Sequence, residues 1–144
     1  MTDLQVVYDA FLAKMLEDEW VNWDLEDIVE DWKSLLNGAL PWFKFPRVSL
    51  DFNEDGTAFA DDLSNEEIQI LATYMKCEWL NRTILTWENV KPLYEERDFS
   101  QANLIDKFNQ MLAAEKKNAA RLEAVYYRSI KRKPFGYRQM ATPI

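Results

Sequence analysis

The chain of 144 residues contains no histidine, one cysteine and only three glycines. Without histidine, neither a histidine-based catalytic dyad nor an imidazole metal site can be assembled. A lone Cys77 inside an apolar helical pattern excludes a disulfide framework and a cysteine metal site, and reads as a small buried residue of a reducing cytoplasm. No Gly-rich phosphate loop is present. No apolar run approaches the roughly 20 residues a membrane-spanning helix needs, and Met1-Thr2-Asp3-Leu4 lacks the basic start of a signal peptide. These absences predict a soluble protein made in the cytoplasm, with no membrane, cofactor or metal requirement, and point away from an enzyme.

What the chain does have is charge sorted along its length. Residues 1–67 carry 17 Asp/Glu against 4 Lys/Arg, whereas residues 68–144 carry 8 against 13. From Lys116 onward there are eight basic side chains and a single acid, Glu123. A molecule with an acidic front and a basic tail can attract copies of itself head to tail, or plug its tail into another subunit. The net charge of −8 opposes broad nucleic-acid binding. Six Trp, six Tyr and eight Phe exceed the needs of a small core, so part of this aromatic set is expected at an interface.

Apolar periodicity predicts a mainly α fold: an antiparallel helical bundle with two long C-terminal helices, a small β-hairpin insertion and an extended C-terminal tail. The first helix is expected to be capped by Thr2, to run through Leu4, Tyr8, Phe11, Leu12 and Met15, and to end near Trp20. The second begins at about Asp24, presents Leu25, Ile28, Val29, Trp32, Leu35 and Leu36 on one face, and stops at Asn37-Gly38 and Pro41. Residues 42–63 form a flap in which Val48, Leu50 and Phe52 alternate with Arg47, Ser49 and Asp51, with a turn at Asn53-Glu54-Asp55-Gly56. Ser64-Asn65-Glu66-Glu67 is a capping box that opens a helix of about 25 residues, which Pro92 ends or kinks. A fourth helix is expected from Ser100 to Lys133, within a single domain spanning residues 1–133. Residues 134–144 have no helical period and read as a docking tail.

Two patterns resemble ligand sites and are better explained otherwise. Asp51-x-Asn53-x-Asp55-Gly56 with Asp62 reproduces half of a calcium loop, but a short Asp replaces the closing Glu and Phe45-Pro46-Arg47-Val48 cannot form the incoming helix. The turn reading therefore prevails. The acids Glu17, Asp18, Glu19, Glu26, Asp27, Glu30 and Asp31 read as a solvated helix face or a dock for a basic surface. Trp79 is expected in the core, while Trp87 suits the core and an interface equally. The partner-binding candidates are Tyr127, Arg128, Arg132, Lys133, Phe135, Tyr137 and Arg138, because arginine and tyrosine cluster there as interfaces enrich them.

The run from Asn65 to Leu80, with Trp87-Glu88-Asn89-Val90-Lys91-Pro92-Leu93-Tyr94 and Asp98-Phe99-Ser100, resembles the head-tail connector (neck adaptor) proteins of tailed bacteriophages, and the likeness extends to Pro41–Phe52. The resemblance implies a structural virion protein: a self-assembling ring, typically a dodecamer of roughly twelve copies, beneath the portal at the neck. Its partners would be the portal protein above and a neck or tail protein below. Genomic DNA would pass through the channel unbound, and Lys131–Ile144 would reach into the portal. The alternative expectation is an acidic phage-encoded regulatory or inhibitory protein that binds a host protein.

Overall fold

The computed structural model describes residues 1–15, 20–90 and 98–141, with side chains for 1–15, 20–88 and 103–128. Its elements are β1 (Thr2–Asp3), α1 (Leu4–Ala13), α2 (Leu25–Ala39), a 3₁₀ turn at Leu40–Trp42, β2 (Ala58–Phe59), α3 (Asn65–Val90) and α4 (Asp98–Ala141). The expected mainly helical bundle with a small β element is the architecture present. Among the described residues, no helix is long and apolar enough to cross a membrane.

α3 is the axis of the molecule. Its first turn is held by the expected capping box: the Ser64 N–H donates to the Glu67 carboxylate at 2.7 Å, and the Glu67 N–H donates to Ser64 Oγ at 3.3 Å. From Glu67 to Met75 only Gln69 escapes burial, so α3 is apolar on nearly every side and is surrounded by α1, α2 and α4. Ile70, Leu71, Met75 and Leu80 are fully enclosed, each worth about 1.5–3 kcal/mol of transfer free energy. α4 runs antiparallel to α3, as successive contacts show. Tyr126 meets Glu67, Tyr74 meets Glu123, Lys76 pairs with Glu115 at 3.3 Å, and Trp79 packs edge-on against Phe108. Trp79 is thus a core residue, and Trp87 is half-buried.

α2 also runs antiparallel to α3. Arg82 forks onto Asp31, its two guanidinium nitrogens donating to the two carboxylate oxygens at 2.5 and 3.2 Å. Asp31 also accepts from Trp20 Nε1 at 2.7 Å. This corrects the reading of Asp31 as part of a solvated face, because the side chain turns inward to join three segments.

Four expected boundaries move. α1 ends at Ala13, short of Trp20, because the chain must leave the helix for Trp20 to set its ring edge-on to Phe11 and Trp32. Asp3 caps α1 by accepting from the Gln5 N–H at 3.0 Å, while the Thr2 hydroxyl accepts from the Leu63 N–H at 2.8 Å. Gly38 does not stop α2 but lies within it, where a Cβ would sit 2.9 Å from Glu78 Oε2. The Glu78 side chain lies across the glycine. α4 starts at Asp98 and continues past Lys133 to Ala141, so residues 134–141 are helical and not an extended tail. Pro134 and Gly136 have poor propensity, but extension of an existing helix does not repeat the cost of nucleation. The break expected at Pro92 and residues 142–144 lie outside the described residues.

The flap is a partial hairpin. Gly56 has φ +68°, and the turn closes through the Asn53 N–H to Ala58 O at 2.8 Å and the Gly56 N–H to Asn53 O at 3.0 Å. Phe52 bridges Phe59, yet the paired strand beside β2 is β1, in antiparallel register Thr2↔Phe59 and Asp3↔Ala58. The predicted alternation holds in exposure, with Val48, Leu50 and Phe52 partly buried and Arg47, Ser49 and Asp51 exposed.

Replacing Gly56 by valine forces a branched residue into the left-handed region and places its Cβ 2.9 Å from Lys33 Nζ. Stability should fall by about 1–2 kcal/mol in chemical denaturation, while Gly56→Asn should lose less.

Candidate docking site

One buried polar cluster determines the surface around it. Glu67, 2% exposed, accepts from the Tyr126 hydroxyl at 2.6 Å, and that oxygen accepts from the Arg47 N–H at 2.6 Å. Ser64, Glu67, Tyr126 and Arg47 therefore form one chain of hydrogen bonds through the start of α3, the middle of α4 and the flap. The Arg47 guanidinium lies over the Tyr126 ring at 5.4 Å, and Phe43 packs edge-on to the same ring at 5.3 Å. Burial first, and then the bond to Glu67, hold the Tyr126 phenol at about 12.

Pinned in this way, the flap displays a basic aromatic surface. Phe45 is 71% exposed and rests edge-on against Tyr127 at 6.3 Å. Tyr127 is half-buried, with its hydroxyl on Glu123 at 3.2 Å and its pKa raised by burial. Lys44, Arg47 and Arg128 are exposed around them. Three turns earlier on the same face of α4, exposed Lys116 lies over the Trp42 ring at 5.8 Å. Trp42 stacks on Tyr74 and donates through Nε1 to Glu78 at 2.8 Å.

Two of the expected partner-binding residues, Tyr127 and Arg128, thus belong to this surface. Arg132, Lys133, Phe135, Tyr137 and Arg138 lie on the continuing helix, with side chains outside the described set. Sequence reasoning missed the contribution of Trp42, Lys44, Phe45 and Arg47, although the aromatic cluster at 42–45 was the available signal. Since Tyr126 already reaches the first turn of α3, the rest of α4 runs on for roughly 20 Å beyond that level.

A second surface lies at the other end of α3. Asp31 meets Arg82 about 22 Å along the helix from Glu67, so the N-terminus of α2 lies far from the Glu67 cluster. Here Asp24, Glu26, Asp27 and Glu30 are exposed beside Val21 (75%), Trp23, Leu25 (74%) and Val29. Trp23, Asp27, Glu30, Asp31 and Ser34 line an open groove between them.

The half calcium loop is occupied with turn-making. Asn53 Oδ1 accepts from the Thr57 and Ala58 N–H groups, Asp51 accepts from Ser49 Oγ, and Asp62 pairs with the N-terminal ammonium. Among the described residues, no group of three or more Cys, Asp or Glu side chains is placed to hold a metal ion. Cys77 is buried and its thiol is pushed up to about 11 by desolvation, opposite to what a nucleophile needs. Comparison with family models, with curated proteins and with solved structures finds no match.

The neutral Tyr126 phenol is the form that is buried and donates to Glu67, so its folded value of about 12 exceeds the ordinary 10. Its stabilisation is complete below pH 10 and is lost as pH climbs through about 12. Tyr126→Phe should cost about 1–3 kcal/mol at neutral pH by stranding Glu67 and the Arg47 N–H. The same variant should show a shallower loss of stability than wild type between pH 10 and 12, as measured by urea denaturation across that range.

Proposed function

We propose that this chain is a non-enzymatic structural subunit of the head-tail connector kind, forming a ring beneath the portal of a tailed bacteriophage and joining capsid to tail around the DNA channel. The observation that carries the reading is the continuation of α4 beyond the Glu67–Tyr126 cluster. The basic, aromatic stretch of the sequence continues as helix for roughly 20 Å beyond the level of Glu67, a length suited to insertion into a neighbouring subunit. Arg132, Lys133, Phe135, Tyr137 and Arg138, the outer part of the expected partner-binding set, form the portal-binding element, with Tyr127 and Arg128 at its base on α4. Lysine and arginine there supply complementarity to an acidic portal surface.

The resemblance read from Asn65–Leu80, Trp87–Tyr94, Asp98–Ser100 and Pro41–Phe52 points to the same function. The excess of acid over base elsewhere also suits a channel wall, since it repels phosphates and lets DNA pass without sticking. The second reading, an acidic regulator that binds a host protein, is favoured by the exposed Asp27–Glu30 groove on α2. The readings separate by location. A connector copurifies with particles and is labelled at the neck by gold-conjugated antibody, whereas a regulator remains in the lysate.

Deleting residues 134–144 should leave the helical circular-dichroism signal nearly unchanged and abolish attachment to portal-bearing heads in a sedimentation assay. Undiminished attachment of the truncated chain would overturn the docking role.

A further inference from the structure

We propose that the acidic end of α2 in one copy docks on the basic aromatic surface around Phe45 and Arg128 of a second copy, an interface that rests on the assembly-subunit reading above and specifies its subunit contact. The two surfaces lie at opposite ends of α3. Asp31 and Arg82 mark one end, and Glu67 and Tyr126 the other. A patch at each end cannot satisfy its own complement within the same molecule, so the contact is intermolecular and heterologous.

Charge and apolar content match at both ends. The acidic end exposes Glu26, Asp27 and Glu30 with Trp23, Val21 and Leu25 among them, and Asp31, the acid nearest the core, is already neutralised by Arg82. The basic end exposes Lys44, Arg47 and Arg128 around the outward face of Phe45. Exposed apolar side chains beside exposed charges are what a docking patch presents to a partner of the opposite sign. Trp23 is the aromatic counterpart for Phe45 beside the groove, and the basic groups around Phe45 meet Asp27 and Glu30, which line it. A head-to-tail contact of this type propagates, closing into a ring when the rotation between copies allows it.

The test uses two variants of the full chain that leave the Asp31–Arg82 pair and Arg47 intact. The first is Glu26→Lys with Glu30→Lys; the second is Lys44→Glu with Arg128→Glu. Circular dichroism is used to confirm that both fold. In sedimentation velocity at low salt, wild type is expected to self-associate, and each variant alone should dissociate at roughly tenfold or higher protein concentration. An equimolar mixture should regain assembly, because each reversed end then faces a complementary one. Raising the salt to about 0.5 M should weaken wild type and mixture alike. A wild-type chain that stays monomeric at low salt, variants that assemble as wild type does, or a mixture that fails to recover would each overturn the contact. Neck labelling of particles reads the connector role separately, so a chain labelled there but lacking this charge-swap behaviour would refute the interface alone.

Discussion

The bond between Glu67 and Tyr126 is the constraint on which the rest of the molecule depends. A carboxylate 2% exposed is costly to bury without partners, and Glu67 finds them in the Ser64 N–H and the Tyr126 hydroxyl. The same hydroxyl accepts from the Arg47 backbone. One side chain thereby starts α3, sets the register of α4 against it and anchors the flap, which has little regular hydrogen bonding of its own. Shifting α4 along α3 would strand all three groups, so the long helical hairpin has one strongly favoured alignment.

That alignment decides what the surface becomes. With Tyr126 level with the first turn of α3, Tyr127 meets Phe45 and the remainder of α4 continues beyond that level. At the far end, Asp31 is held by Arg82 and Trp20, which fixes α2 so that its remaining acids and the apolar residues Trp23 and Leu25 face outward. Two inward polar contacts, about 22 Å apart along one helix, thus place the exposed acids of α2 and the Phe45–Arg128 surface at opposite ends of α3. The proposed connector function and the proposed subunit contact both draw on this geometry.

The aromatic excess divides between two tasks. Tyr8, Phe11, Trp20 and Trp32 form a linked set of tilted and edge-on rings beneath α1 and α2, while Phe43, Tyr126 and Tyr127 carry the packing outward to Phe45. The first group contributes burial, and the second a rigid surface with low conformational entropy to lose on binding.

Local chemistry was legible in the sequence. The Ser64–Glu67 box, the Asn53–Gly56 turn, the apolar period of α3 and the mainly helical class each rest on interactions within a few residues, and each is present in the fold. The tertiary structure decided what depends on distant partners. Gly38 reads as a helix stop until Glu78 is found against it, Asp31 reads as solvated until Arg82 reaches it, and Phe45 reads as a flap aromatic until Tyr127 is placed beneath it. Nor could residues 134–141 be read as helix, since their proline and glycine argue locally against it and only continuation of α4 carries them. Periodicity and capping act over one or two turns, whereas the orientation of a charged or aromatic side chain is fixed by whichever element packs beside it.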